Sequence, residues 1–264
     1  MKIFSYQSLR ILILLMLLAA AAIYTQEQRL VSRGWYKPLH VTIYPINADG
    51  GAAAAAYIAE LSTEDFTDID AFMARESERY GIVTSTPTVT RLGAELEAMP
   101  PAPPGSDANV VRIMLWSLRL RFWALWNTPD GGGDANRVRM FVLYHAPEPN
   151  QRLAHSLGLE KGLLGVVNAF AAPAQADQNN IIIAHELLHT VGATDKYDAK
   201  GEPLYPHGYA EPDRTPLYPQ RRAEIMAVRI PRAPNVSEMA ASLELVMVGA
   251  RPHARSTGLW RIEG

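Results

Sequence analysis

The chain contains no cysteine among its 264 residues. It therefore cannot form a disulfide, a zinc–thiolate site or a cysteine nucleophile, and any metal ion must bind through nitrogen and oxygen atoms. Charge of one sign is also scarce, because the net charge is −2 and no long acidic or basic run occurs. Proteins that bind nucleic acid usually carry a basic surface, so we expect no nucleic-acid partner.

An apolar run long enough to span a bilayer comfortably, which takes roughly 20 residues, is missing as well. The N-terminal run covers only residues 11–23, and Lys2 and Arg10 precede it. A short basic region before a run of this length is typical of a signal peptide. We predict a signal peptide or an uncleaved membrane anchor at residues 1–24 and a tether at 25–37. Either role implies export, to the periplasm or to the outer side of the cell membrane.

Apolar residues make up 48% of the chain, which is enough to bury a sizeable core. Apolar periodicity predicts strands at 41–44, 138–144 and 163–170. It predicts helices at 52–61, 63–73, 109–126, 181–191 and 237–249. This order of elements predicts one α/β (α+β) domain over residues 38–264, with a small twisted mixed sheet and helices packed on it.

Residues 109–126 are strongly apolar but contain Arg112, Arg119 and Arg121. Such a segment fits either a helix on a membrane or nucleic-acid surface, or a core helix whose arginines extend their charged ends into water. The second interpretation is favoured here. It predicts that the aromatic side chains of the segment lie in the core: Trp116, Phe122, Trp123 and Trp126.

His185-Glu186-Leu187-Leu188-His189 is the most informative stretch of the chain. Two histidines four residues apart lie on one face of a helix, because one turn takes 3.6 residues. Two imidazoles beside a carboxylate are what a catalytic zinc ion needs. The alternative is a pair of core histidines bonded to the backbone, with Glu186 as an ion-pair partner.

A catalytic zinc ion also needs a third protein ligand. Gly192 follows His189 by three residues and allows a sharp turn out of the helix, which can return Asp195 to the metal. The stretch from His185 to Asp195 resembles the snapalysin-type variant of the metzincin proteases, in which aspartate is the third ligand. Three other residues remain open as ligands. They are Asp198, His207 and Glu211.

Residues 184–227 resemble a family of bacterial exported metzincin-like proteases, whose further features match residues 193–198 and 218–220. The resemblance implies that Met226 is the methionine of a turn beneath the metal. Some members place a tyrosine two residues later to assist the zinc or the oxyanion, but Val228 occupies that position here. Four tyrosines are candidates to replace it: Tyr197, Tyr205, Tyr209 and Tyr218.

The resemblance implies a zinc endopeptidase with one catalytic Zn²⁺ ion held by His185, His189 and Asp195. Glu186 would be the general base, and a peptide or protein would be the substrate. In the clan, an edge strand, expected here near residues 166–170, pairs with the extended substrate. The alternative function is a catalytically silent zinc-binding scaffold, in which a fourth side chain such as His207 closes the site.

Overall fold

A computed structural model describes residues 6–82, 84–105, 107–128, 136–149 and 151–249 of the chain. The last part of the predicted domain, residues 250–264, lies outside them. The described residues contain five α-helices: α1 (Tyr6–Gly34), α2 (Ala52–Glu60), α3 (Thr67–Arg79), α4 (Val110–Asn127) and α5 (Ala176–Thr190). The strands of the main sheet are β1 (Leu39–Asn47), β2 (Thr88–Leu92), β3 (Arg137–His145), β4 (Leu157–Leu159) and β5 (Leu164–Phe170). The strands outside it are β6 (Ala223–Glu224), β7 (Arg229–Ala233), β8 (Val236–Met239) and β9 (Val246–Met247).

The main sheet has five strands in the order β2-β1-β3-β5-β4. The first four strands of that order run parallel, and β4 pairs antiparallel with β5 at the edge. Central strands of parallel sheets are covered on both faces, which explains the almost continuous burial of β1 and β3. The prediction of an α+β protein with a mixed sheet is therefore confirmed.

Two apolar cores lie on opposite faces of this sheet, because successive side chains of a strand point to opposite sides. Met140 and Val142 of β3 pack in the core that includes α2, α3 and α5. Phe141 and Leu143 pack in a second core, which includes Leu120 of α4. We call these two sides the α5 face and the α4 face of the sheet.

Helix α1 continues to Gly34 and so covers most of the predicted tether at residues 25–37, whose role stays a prediction. No glycine or proline interrupts residues 25–33, so nothing in the local sequence ends the helix earlier. Apolar side chains of α1 such as Leu14 and Leu17 are exposed. None of the helices in the described part of the chain combines the length and the apolar character needed to cross a membrane.

The segment at 109–126 is helical as predicted, and Asn109 caps it by accepting a hydrogen bond from the backbone N–H of Arg112. Its placement in the core is correct for one side only. Leu120 and Ala124 are buried and Trp116 and Trp123 pack against the second core, whereas Phe122 and Trp126 are 61% and 86% exposed. Apolar composition predicted burial, but a single helix against one sheet face can bury only one side.

The predicted C-terminal helix at 237–249 is also wrong. The segment forms β8, a short 3-10 helix over Leu243–Leu245, and β9, which pairs with β6. Arg75 of α3 donates hydrogen bonds to the carbonyls of Leu243 and Val246. These non-local contacts satisfy the backbone in an extended form and outweigh the local helical pattern.

Candidate metal centre

Helix α5 carries both histidines and is fixed to the end of β5. The Asn179 side chain donates to the carbonyl of Phe170 and accepts from its N–H, so the helix begins where the strand ends. Ala184, Leu187 and Leu188 pack into the core of the α5 face. This packing sets the rotation of the helix about its axis and therefore the direction of the two imidazoles.

A turn at Gly192 brings the chain back to the helix. The glycine has φ of 97°, a left-handed conformation that side chains with a Cβ rarely adopt. Its N–H donates to the carbonyl of His189 at 3.0 Å, and the N–H of Ala193 donates to that of Leu188 at 3.0 Å. Asp195, three residues later, therefore returns to the two histidines, as the glycine turn predicted.

Three donor atoms converge at the end of this turn. The Nε2 atoms of His185 and His189 are 3.0 Å apart, and Oδ1 of Asp195 lies 3.2 and 3.1 Å from them. Among the described residues, these three side chains form the one group able to hold a metal ion. Tetrahedral zinc ligands at about 2.0–2.1 Å from the ion lie about 3.3–3.4 Å apart, so the donor triangle fits zinc closely.

The second nitrogen of each imidazole has a backbone partner. Nδ1 of His185 lies 3.0 Å from the carbonyl of Ile225, and Nδ1 of His189 lies 2.7 Å from that of Ala193. A carbonyl only accepts, so each Nδ1 carries the proton and each Nε2 presents a lone pair. Two lone pairs facing each other repel unless a cation or a proton lies between them, so the donor set fits a metal ion.

The turn that contains Met226 lies against the histidine pair. Ala227 and Val228 both donate their N–H groups to the carbonyl of Glu224, and these hydrogen bonds close the turn. The carbonyl of Ile225, in the same turn, accepts the hydrogen bond from Nδ1 of His185. Met226 itself is buried in the core of the α5 face. The turn is thus joined to the metal-binding group by a hydrogen bond.

Lys196 and Glu224 form a buried ion pair that sequence reasoning missed. Lys196 Nζ lies 2.8 Å from Oε1 of the fully buried Glu224, whose Oε2 accepts the N–H of Met226 at 2.6 Å. The Lys196 N–H also donates to the carbonyl of Met226 at 3.0 Å. The pair therefore fastens the Asp195 loop to the Met226 turn. The sequence does show a lysine next to Asp195, but nothing local identifies its ion-pair partner, which is 28 residues away.

Glu186 points from α5 into the site as a buried carboxylic acid. The residue is 4% exposed, and no described residue forms a hydrogen bond with its Oε2 atom. Burial raises the pKa of Glu186 above its usual range, although the two nearby histidines act in the opposite direction. A carboxylate with a raised pKa and a free oxygen is a stronger base than an ordinary carboxylate, as a general base requires.

The charges of the donor set stabilise one another. Burial raises the pKa of Asp195, but the adjacent imidazoles of His185 and His189 prevail and hold that pKa well below its usual range. Burial likewise lowers the pKa of His189, but the Asp195 carboxylate prevails and raises it. Asp195 is therefore a permanent anion and suits a cation as its neighbour.

Tyr197 is the candidate tyrosine that lies beside the metal-binding group. Its ring stacks near that of His185, with centroids 6.4 Å apart, and burial together with Asp195 raises its pKa to about 12. The other three tyrosines contact one another in a separate cluster: Tyr205, Tyr209 and Tyr218.

The alternative ligands lie outside the donor group of the described residues. The Asp198 carboxylate accepts the N–H groups of Lys200 and Glu202 and so closes its own turn. His207 is exposed. Glu211 has a buried Oε2 atom without a hydrogen-bond partner in the described part of the chain, but no histidine joins it.

The edge strand beside α5 is β4, not the strand near residues 166–170 that the sequence suggested. β5 lies between β3 and β4, so its backbone is already paired on both sides. β4 approaches α5 so closely that a Cβ on Gly158 would lie 2.3 Å from the carbonyl oxygen of Glu186. Only glycine fits there. A strand of three residues around a glycine gives almost no periodic signal, which explains the error.

No protein-family model, curated protein or solved structure matches the chain. Its function must therefore be inferred from the site itself.

Proposed function

We propose that the protein is a zinc-dependent endopeptidase of metzincin type. The observation that carries the proposal is the buried carboxyl of Glu186, whose Oε2 has no hydrogen-bond partner among the described residues, beside three convergent metal donors. A site that served stability alone would need the donors but not this acid. Burying a polar atom without a partner costs several kcal/mol, so a chemical role is the simplest reason for its presence.

His185, His189 and Asp195 are the proposed ligands, and their separations fit one Zn²⁺ ion. When bound, zinc supplies a Lewis acid that polarises a peptide carbonyl and makes water more nucleophilic. Glu186 takes the proton from the attacking water and later delivers it to the leaving amine. Tyr197, whose ring lies beside that of His185, is the proposed hydrogen-bond donor to the oxygen that becomes negative, in the role that Val228 cannot fill.

The proposed substrate is an extended peptide that adds to the open edge of β4. That edge has no strand partner among the described residues and passes directly over Glu186 and His189. Strand addition would hold the peptide by backbone hydrogen bonds and bring a scissile bond toward the donor group. Met226 is then the methionine of the clan's turn. Export and the signal or anchor role of residues 1–24 remain predictions.

The test is Glu186→Gln, with Glu78→Gln, an exposed acid on α3, as the matched control. We expect Glu186→Gln to keep its zinc by elemental analysis but to cut a peptide library at least about 100-fold more slowly. The Glu78→Gln variant should retain full activity. A chelator should abolish cleavage by this variant and by the wild-type protein.

Two results would count against the proposal. Zinc-loaded wild-type protein that cuts nothing in a broad peptide library would point to the silent zinc-binding scaffold instead. Full cleavage by the Glu186→Gln variant would show that another group is the base.

A further inference from the structure

Helix α4 has an apolar side that faces away from the protein. At 100° per residue, Leu120 and Ala124 face the sheet, and a second set of apolar side chains covers an arc of about 120° on the opposite side. We call this set the outer stripe, and its members are 45% to 86% exposed. It consists of Met114, Leu115, Leu118, Phe122, Leu125 and Trp126.

The outer stripe is larger than the scattered apolar exposure of an ordinary surface. Met99, from the proline-rich loop before α4, is 47% exposed and extends it. Together with Phe122 and Trp126 it lines a shallow groove of about 390 Å³. A contiguous apolar surface of long side chains usually marks a membrane or protein interaction site.

Basic side chains border the stripe on both sides. By helical rotation, Arg112 and Arg119 lie on one flank and Arg121 on the other, each about 80–100° from the centre of the stripe. Residues 109–128 contain no acidic residue, although the whole chain has a net charge of −2. An apolar stripe with aromatic residues and arginines at its borders is the pattern of a helix lying in a lipid headgroup layer.

The charges distinguish a bilayer from a second copy of the chain. In a two-fold dimer through the stripe, the basic flanks of one α4 would face those of the other. Segment 109–128 offers no carboxylate to separate them, so like charges would oppose association. Anionic phospholipids instead present phosphate groups that guanidinium groups bind well, and an acyl layer that accepts the apolar side chains.

We propose that α4 is a membrane-docking helix that lies on anionic phospholipid through its outer stripe. Phe122 and Trp126 enter the boundary between headgroups and acyl chains, and Arg112 and Arg119 contact phosphates. Arg121 also donates to the carbonyl of Lys161, so it is held near that boundary. The docking surface lies on the α4 face of the sheet, on the opposite side from the metal centre. It is independent of metal binding and of the proposed protease activity.

The absence of cysteine makes a site-specific test straightforward. Leu115→Cys places a single thiol in the outer stripe, and Val236→Cys places one on β8 at a similarly exposed position. Each full-length variant is labelled with a polarity-sensitive fluorophore and mixed with phosphatidylcholine vesicles with or without phosphatidylglycerol. A quencher attached to the acyl chains reports insertion. The local probe is needed because α1 could attach the protein to vesicles without α4.

We expect the probe at position 115 to shift to the blue and to be quenched on phosphatidylglycerol vesicles, while the probe at 236 stays in water. Adding Arg112→Gln and Arg119→Gln should weaken vesicle binding roughly 30-fold, since each of the two arginines contributes about 1 kcal/mol at an anionic surface and about 1.4 kcal/mol corresponds to a factor of ten. The matched pair Arg221→Gln and Arg222→Gln, two exposed arginines outside α4, should change it little.

Three results would overturn the proposal. The first is a probe at 115 that remains in water when the protein is bound to vesicles, or no vesicle binding at all. The second is a probe already shielded in buffer at every protein concentration, because another part of the chain would then cover the stripe. The third is shielding that increases with protein concentration without lipid, which would identify a second copy as the occupant.

Discussion

The two faces of the sheet each carry an apolar helix, but they treat polar groups in opposite ways. On the α5 face, His185, Glu186 and Glu224 are buried. A backbone carbonyl holds His185 and Lys196 holds Glu224, whereas Oε2 of Glu186 has no hydrogen-bond partner among the described residues. On the α4 face, the helix fully buries only Leu120 and Ala124, and its arginines are exposed or half-buried. Burying polar groups costs free energy unless they are paired, and a large exposed apolar surface usually marks an interaction site. The comparison therefore supports a reaction site on the α5 face and membrane docking on the α4 face.

The largest effect that we expect comes from removing the third donor. Asp195→Ala takes away the anion that lies 3.1 and 3.2 Å from the two imidazoles, so zinc affinity should fall by at least about 100-fold. Asp198→Ala is the control, because that carboxylate is the next acid along the same loop. Zinc titration with a competing chelator measures both. Equal affinities in the two variants would rule out Asp195 as a ligand.

A second prediction concerns the ion pair beneath the site. Lys196→Met leaves Glu224 buried without its partner, so the free energy of unfolding at pH 8 should fall by about 3 kcal/mol. Burial raises the pKa of Glu224, hence the loss should be smaller at pH 5.5, where the acid takes up a proton more easily. Denaturant titration of the zinc-free protein tests this. Lys200→Met, at an exposed position nearby, should hardly change the free energy of unfolding. A loss of stability similar to that of Lys196→Met would argue against a specific role of the ion pair.

The α4 face can be tested within one helix. Leu120→Ala opens a cavity in the second core and should lower the free energy of unfolding by about 3 kcal/mol. Phe122→Ala removes a larger side chain from the exposed stripe and should change stability by less than about 0.5 kcal/mol. Thermal or denaturant unfolding compares them directly. Similar losses from both would mean that the outer side of α4 is covered in solution.

The metal-binding group could be predicted from the sequence because its determinants are local. His185 and His189 need only helical periodicity, and the turn at Gly192 fixes Asp195 within six residues of His189. The resemblance also pointed to the turn at Met226, whose role as the clan's methionine stays a prediction. Its hydrogen bond to His185 spans 40 residues, however, and no spacing rule predicts such a contact.

The errors share a physical cause, which is that apolar periodicity does not report what covers a surface. The composition of α4 predicted a core helix, yet the sheet offers it one face and nothing covers the other among the described residues. Residues 237–249 have helical periodicity, but hydrogen bonds from Arg75 and pairing with β6 favour extended structure. Strand β4 was missed because its three residues are too few for a pattern. Each outcome depends on a partner that is distant in the chain.

The smallest predicted effect lies at the junction of α3 and α5. Burial raises the pKa of Asp68 to about 6, and its Oδ1 accepts a hydrogen bond from Asn180 of α5. A carboxyl whose pKa is higher in the folded state binds protons that the unfolded chain has released, so ionisation of Asp68 lowers stability as the pH rises from about 4 to above 6. Asp68→Asn keeps an acceptor and cannot ionise. The unfolding free energy of the variant relative to wild type should therefore increase by about 1 kcal/mol between pH 4.5 and 7.5, after allowance for solvent screening of this half-buried group. A difference that stays constant with pH would mean that Asp68 titrates normally, and that the α5 face tolerates this charge.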